Sequence, residues 1–268
     1  MFHRAFAAAF AVSLASPGVA QTADDLLDAL KIDETVAVMQ AEGRDYGRDL
    51  ADNMLGGTSE SWEASVARVY DVEAMEEAVR TAFREALPED MAAPLLDFFT
   101  SDLGQEVVTL EIEAREAMVD EDVEDAARER YRDLEGGDDA RLGLVEDFVE
   151  ANDLVEQNVS GALNASFAFY NGLADGGALE MSESEMLSEI WSQEEDTRND
   201  TTEWVHAYLL MAYGPLSEDE LTRYVELSES EAGRALNRAL FAGFNAMYND
   251  ISYAMGLAAA SEMAATDL

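Results

Sequence analysis

Apolar residues recur along this chain at intervals of three and four positions from Leu26 onward. Clear stripes run through Trp62–Tyr70, Val72–Phe83, Met91–Phe99 and Val107–Met118. Such spacing places side chains on one face of an α-helix, whereas a half-buried strand would alternate with a period of two. The sequence shows no sustained alternation and contains only four prolines. The pattern therefore predicts an all-α protein, folded as a helical bundle.

The helical pattern also repeats at an offset of 129 residues. Positions 59–118 align with positions 188–247 without a gap, and 12 of the 60 pairs are identical, including Trp62 with Trp191. A self-similar segment of this kind indicates a structural unit that occurs twice. We therefore predict a signal peptide at 1–20, a first helical repeat unit at 21–135, a linker at 136–139, a second helical repeat unit at 140–256 and a small-residue tail at 257–268.

The same short segment precedes an apolar helical run in each half. It reads SDLG at 101–104 and SEAG at 230–233. Serine is a favoured N-cap residue, and an acidic residue suits the positive end of a helix. A glycine two positions later lets the preceding helix approach the backbone closely. We predict a sharp helix–helix corner at Ser101 and at Ser230; an anion site at each helix N-terminus is the alternative, which the neighbouring acids disfavour.

Two further helix starts in the second half carry a capping box. Ser217 is followed three residues later by Glu220, and Ser182 by Glu185. In this arrangement the serine oxygen accepts from the third amide of the helix, and the glutamate accepts from the serine amide. These residues are predicted to be structural, with no part in catalysis.

The corner segments resemble a known family. The segments FFTSDLGQE at 98–106 and LSESEAGR at 227–234 resemble a pattern of two aromatic residues, any residue, Ser or Thr, Pro, any residue, Gly and a basic residue. That pattern belongs to the secreted bacterial family called domain of unknown function 2059, and the resemblance covers 87–118 and 216–247. Both copies lack the proline, and Leu227 and Ser228 replace the aromatic pair. The resemblance implies an exported α-helical protein and brings no activity, ligand or catalytic residue.

The first twenty residues predict a secretory signal peptide. Arg4 supplies a positive start, and Ala5–Ala15 is an apolar stretch too short to span a bilayer. Pro17 and Gly18 then break the helix, and small residues precede Gln21. An ordinary amphipathic helix is the alternative, but Ala5–Ala15 has no polar face. We expect cleavage after residue 20 and a periplasmic or extracellular location.

The charge of the chain is strongly negative. Its 58 acidic and 16 basic residues give −42 at pH 7, and removal of the signal peptide takes away one more base. Such a surface repels nucleic acids and anionic lipid headgroups, so we expect no nucleic acid partner and no stable membrane insertion. It attracts cations and basic partners, although solubility in a salty exterior is the simpler explanation. An apolar content of 48% at helical spacing favours a folded chain over a disordered one.

The usual signatures of catalysis are missing from the sequence. It contains no cysteine, and His206 is the single histidine after residue 20. The neighbours Trp204 and Tyr208 indicate that His206 packs inside the fold instead of acting as a base. Phosphate-binding loops and nucleophile elbows are absent, and Lys31 is the only lysine. We predict no enzyme activity, no cofactor and no catalytic, cofactor-binding or metal-binding residue.

Acidic residues are nevertheless dense enough to suggest weak binding of divalent cations. The run 120–125 resembles a calcium loop in composition, but Asp125 and Tyr131 stand where an EF-hand requires Gly and Glu. A solvated helix face is the simpler explanation. A second acidic patch surrounds the double glycine of the linker, at Asp133, Glu135, Asp138 and Asp139.

Aromatic residues at helical spacing either fill the core or line an apolar groove. This set comprises Trp62, Phe98, Phe99, Phe167, Phe169, Tyr170, Trp191 and Trp204.

Three functions remain open at the level of sequence. The first is a non-enzymatic structural or protein-interaction role in the bacterial envelope, with a protein partner. The alternatives are an acidic protein that binds divalent cations and a glycan hydrolase, which would use a pair of carboxylates. A concave site where the two halves meet would discriminate between them: buried convergent carboxylates favour the hydrolase, and an apolar groove favours the interaction role.

Overall fold

The computed structural model describes residues 17–266, with side chains described for residues 22–265. This part of the chain is helical and contains no strand, which confirms the all-α prediction. The predicted signal peptide lies for the most part outside the described residues. The helices are α1 Pro17–Ala29, α2 Ile32–Leu50, α3 Glu60–Val69, α4 Val72–Ala86, α5 Ala92–Phe99, α6 Asp102–Ala117, α7 Glu121–Leu134, α8 Ala140–Ala151, α9 Leu154–Asp175, α10 Glu183–Ser192, α11 Glu194–Ala212, α12 Glu218–Glu229 and α13 Glu231–Thr266; a π-helical turn, Ala51–Leu55, extends α2.

One hydrophobic core joins the two halves of the chain. Leu26, Phe83 and Phe99 from the first half belong to the same buried cluster as Tyr213 and Leu221 from the second. Helix α13 is the longest element, about 54 Å at 1.5 Å per residue, and packs along α4 and α9. Helix α4 of the first half thus packs on α13 of the second, and α11 of the second packs on α6 of the first. The halves interlock and do not form separate lobes.

The two predicted corners are confirmed. Ser101 Oγ accepts from Gly104 N at 3.1 Å, and Ser230 Oγ accepts from Gly233 N at 3.0 Å. A Cβ added to Gly104 would lie 2.6 Å from Phe99 Cα, and one added to Gly233 would lie 2.7 Å from Ser228 Cα. Glycine is required at both places because the preceding helix passes too close for any side chain.

Both predicted capping boxes are also confirmed. Ser182 Oγ accepts from Glu185 N at 3.4 Å, and Ser217 Oγ accepts from Glu220 N at 3.3 Å. Each glutamate accepts in return from the serine amide, at 2.8 Å in the first box and 2.9 Å in the second. These contacts fix where α10 and α12 begin.

Some packing relations recur between the halves. Helix α1 packs on α4 and α5, as α8 packs on α11 and α12. The junction before α2 holds Lys31 at φ 51°, and the junction before α9 holds Asp153 at φ 52°. Both residues adopt the left-handed conformation that ends one helix and begins the next. These relations agree with a duplicated unit, but the duplication of the whole unit stays a prediction.

The tryptophan pair departs from the duplication. Trp62 is 1% exposed, and its Nε1 donates to Gly47 O at 2.8 Å, whereas Trp191 is 64% exposed. A duplicated unit would give both tryptophans the same surroundings, and this expectation is wrong. The offset maps α3 onto residues 189–198, where a break at Gln193 separates α10 from α11. Helix α10 buries Met186 and Ile190 instead, and this leaves Trp191 on its outer side.

The small residues near the C-terminus have a packing role. Residues 257–266, predicted as a tail, continue α13. Gly172 of α9 and Gly256 of α13 face each other, since a Cβ added to either would lie 3.0 Å from the Cα of the other. The small residues therefore allow α9 and α13 to cross in close contact. The predicted linker forms the turn between α7 and α8, with Gly136 at φ 73°.

Candidate functional site

A cavity of about 520 Å³ lies where the two halves meet. Helices α2 and α6 of the first half and α9, α11 and α13 of the second form its walls. Its volume falls within the range of small-molecule pockets, about 300–1,000 Å³. Most of the lining is apolar and includes Met39, Ile112, Leu240, Phe241 and Phe244. We call this space the central cavity.

The central cavity lies between corresponding faces of α6 and α13. Positions 108, 111, 112 and 115 of α6 line it, and so do positions 237, 240, 241 and 244 of α13. Each pair is separated by the 129 residues of the sequence repeat. The corner that begins each helix sets the direction of the helix, so both helices present the same face to one space.

Glu111 of α6 is the acidic residue in the lining of the central cavity. Its Oε1 accepts from the hydroxyl of Tyr213 at 2.6 Å and from that of Tyr224 at 3.2 Å, and its backbone oxygen accepts from Tyr208 at 3.0 Å. Within the described residues, its Oε2 has no hydrogen-bond partner. Burial raises the pKa of the Glu111 carboxyl, and the two tyrosine hydrogen bonds only partly oppose this.

A rigid aromatic cluster holds the two tyrosines in place. Tyr224 stacks on Phe98 with ring centroids 5.9 Å apart and meets Tyr213 edge-on at 5.8 Å. Phe148 packs against both, at 4.9 Å from Tyr224 and 5.4 Å from Tyr213. Burial raises the pKa of both tyrosine hydroxyls well above 10, so they remain protonated donors to Glu111.

One turn along α6, Arg115 lines the same cavity but is paired. Its Nε donates to Glu42 Oε1 at 2.9 Å, and its Nη2 donates to Glu42 Oε2 at 2.8 Å. This fork-like geometry is the strongest form of an arginine–carboxylate pair. The charge of Arg115 is therefore already compensated by α2.

An aromatic wall adjoins Glu111. Trp204 and Tyr208 of α11 line the cavity and stack with centroids 5.2 Å apart and an interplanar angle of 15°. Because the Tyr208 hydroxyl bonds the backbone oxygen of Glu111, this wall contacts α6 at Glu111. Asn158, Asn237 and Asn245 add further polar groups to the lining.

The aromatic residues singled out in the sequence separate into different environments. Trp204 lines the cavity, Phe98 and Phe99 pack behind Glu111, and Trp62 lies in the core. Trp191 is exposed on α10. Sequence reasoning missed Glu111 among 58 acidic residues. The sequence feature that could have identified Glu111 is its position on an apolar helix face, three residues after Val108 and next to Ile112.

His206 is buried, as predicted. Its ring stacks on Tyr131 at 4.9 Å, and its Nδ1 lies 2.7 Å from Thr202 O.

At the predicted acidic helix face, Asp120 caps α7 by accepting from the Asp122 amide at 3.0 Å. Across residues 17–266, no group of three or more acidic or histidine side chains is placed to hold a metal ion. Over the same range, no helix has an apolar run long enough to cross a membrane.

The fold and the cavity define an all-α protein in which the helices that follow two matching helix–helix corners line an apolar space beside a buried carboxyl. Residues 73–133 match the model of a family described as uncharacterized protein conserved in bacteria, DUF2059. This match confirms the family resemblance in the first half and includes Glu111 and Arg115; the second corner lies outside the matched range. No curated protein and no solved structure matches the chain.

Proposed function

We propose that this is an exported, non-enzymatic binding protein of the bacterial envelope, whose central cavity receives the apolar part of a partner molecule. The observation that carries the proposal is the cavity itself, a mostly apolar space of about 520 Å³ between the two halves of the fold. An apolar cavity with a few polar groups is the usual form of a ligand-binding site.

The polar groups of the cavity support binding over hydrolysis. A glycoside hydrolase of the common type needs two carboxyl groups that are free to exchange protons or attack the sugar. Here Arg115 holds both oxygens of Glu42, and this leaves Glu111 as a single carboxyl on the apolar wall. One carboxyl among apolar and aromatic side chains orients a ligand but does not form a catalytic pair.

Export rests on the N-terminal sequence and on the bacterial family match at 73–133. Its test is the N-terminal residue of the protein recovered from the periplasm or the medium of a bacterial producer. We expect Gln21. A protein that keeps Met1 and stays in the cytoplasm would contradict the export proposal.

The binding function is tested with N-phenyl-1-naphthylamine, an apolar dye whose fluorescence rises in apolar surroundings. We expect saturable binding at one site. Ala165→Phe places a ring in the cavity lining of α9 and should weaken binding about tenfold or more, because it removes the space that the dye occupies. The matched control is Asn164→Phe, which adds the same ring at an exposed neighbouring position of α9 and should leave binding unchanged.

Circular dichroism shows first that both variants keep the helical content of the parent. Linear, unsaturable dye binding would contradict the proposal, and so would an equal loss of binding in both variants.

A further inference from the structure

The charges around the central cavity indicate the chemistry of its ligand, an inference that rests on the proposed binding function. Arg115 and Glu42 neutralise each other through two hydrogen bonds. Glu111 has tyrosine hydroxyls as partners, and no cationic side chain within the described residues bonds to it. The lining therefore has one acidic group without a positive counterpart.

One carboxyl oxygen of Glu111 has no hydrogen-bond partner among the described residues. Tyr213 and Tyr224 occupy Oε1, so Oε2 is the oxygen left to the side chain for a further hydrogen bond. The aromatic cluster behind these tyrosines keeps the carboxyl in one place. A pre-positioned acceptor in an apolar space favours a ligand group that donates hydrogen bonds, and most strongly a charged donor.

The aromatic wall also favours a positively charged group on the ligand. The Trp204 and Tyr208 rings stack beside Glu111 and line the cavity. The faces of aromatic rings attract cations, and tryptophan does so best. A cation bonded to Glu111 would thus lie next to the aromatic surface most suited to it.

The electrostatic field of the whole protein adds to this preference for a cationic ligand. With a charge of −42, the chain attracts cations towards its surface and repels anions. A fatty carboxylate would have to enter against this field, and Arg115, its natural partner, is already bound to Glu42.

We propose that the central cavity binds an amphiphilic amine, with its apolar chain along the wall of α9 and α13 and its protonated amino group on Glu111 beside Trp204. The apolar lining holds the chain, and Glu111 selects the head group.

The test is calorimetry of the mature protein with three twelve-carbon probes that differ only in head group: dodecylammonium, dodecanol and dodecanoate. Each probe is used below its micelle concentration and at one fixed salt concentration. We expect the amine to bind more tightly than the alcohol, and dodecanoate to bind most weakly. Glu111→Gln should weaken the amine about 10- to 100-fold, the range of a charged hydrogen bond, and should hardly change the alcohol.

The matched control is Glu113→Gln, which removes the same charge from an exposed position of α6. It should leave all three affinities unchanged. Trp204→Leu gives a second, independent variant: we expect it to weaken the amine more than the alcohol, whereas Trp191→Leu on exposed α10 should change neither.

The outcomes separate this inference from the proposed function. Equal affinity of the amine for the parent and for Glu111→Gln overturns the amine site, and so does tighter binding of dodecanoate than of the amine. If the alcohol binds and the amine binds no better, the binding function stands and the amine site falls. If neither the dye nor any of the three probes binds, both proposals fall.

Discussion

The corner between α5 and α6 and the corner between α12 and α13 have the same local geometry but different continuations. Both use a serine cap and a glycine against the preceding helix. Helix α6 ends at Ala117, sixteen residues after its corner, while α13 runs for 36 residues to Thr266. The comparison teaches that the short motif determines the turn, whereas the surrounding helices determine the length and the role of the helix that the turn begins.

The same contrast appears inside the central cavity. Glu111 of α6 and Leu240 of α13 stand at corresponding positions, and both line the cavity. The first half thus supplies the carboxyl, and the second supplies apolar surface at the matching place. The two helices therefore differ in chemistry at matching positions: α6 contributes the charged residues of the lining, and α13 contributes apolar and neutral polar ones.

The largest difference between corresponding positions should be that between Trp62 and Trp191. Trp62→Ala removes a buried indole and its hydrogen bond to Gly47, so we expect a loss of about 3–5 kcal/mol in the free energy of unfolding. Trp191→Ala changes an exposed side chain and should cost no more than about 0.5 kcal/mol. Urea unfolding followed by circular dichroism measures both. Similar losses would show that the two tryptophans do share their surroundings.

The corner glycines should instead respond alike. Gly104→Ala and Gly233→Ala each place a methyl group against the backbone of the preceding helix, and overpacking of this kind costs about 1–3 kcal/mol. Gly143→Ala is the matched control in α8, because open space surrounds that position; there we expect a gain of about 0.5–1 kcal/mol from helix propensity. Thermal or urea unfolding of the three variants measures these changes in stability. A large cost at one corner and none at the other would contradict the common geometry.

How far the sequence predicts this structure depends on how local each feature is. The caps at Ser101, Ser182, Ser217 and Ser230 were predictable because each involves residues within one helical turn. The helical class followed equally from local periodicity. The exposure of Trp191 was not predictable, since it depends on which face of α10 packs on α9.

The candidate site, in contrast, depends on contacts between residues that are far apart in the sequence. Glu111 meets Tyr213 and Tyr224 across more than one hundred residues of sequence. No pattern near residue 111 reveals these partners, and the sequence has 58 acidic residues to choose from. The pairing of Glu42 with Arg115 across 73 residues is hidden for the same reason. The chemistry of the cavity arises from the interlocking of the halves, which one-dimensional patterns do not encode.

The smallest expected effect concerns the pH dependence of the free energy of unfolding. It tests whether the α6 face of the cavity differs from the α13 face by a buried carboxyl, that of Glu111. Tyr213 and Tyr224 bond to this carboxyl, and Tyr208 bonds to the backbone oxygen of Glu111. The paired charges of Arg115 and Glu42 lie one turn along α6, and Tyr248 contacts Arg115. Burial raises the folded-state pKa above the ordinary value of 4.5. Below pH 4.5 both folded and unfolded states hold the proton, so Glu111→Gln should hardly change stability there. As pH rises above 4.5, the unfolded state releases the proton before the folded state does, and this release stabilises the unfolded state.

The ligand-free parent should therefore lose stability relative to Glu111→Gln from pH 4.5 upward, until the folded-state pKa is passed. The difference grows by about 1.4 kcal/mol for each unit by which the pKa is raised. Urea unfolding of both proteins between pH 4 and pH 8 measures it, with Glu113→Gln as the control for loss of one surface charge. A difference that stays constant with pH, or that favours the parent as pH rises, would mean that Glu111 is as well solvated as an exposed acid. The α6 face of the cavity would then lack the buried carboxyl that distinguishes it from the α13 face.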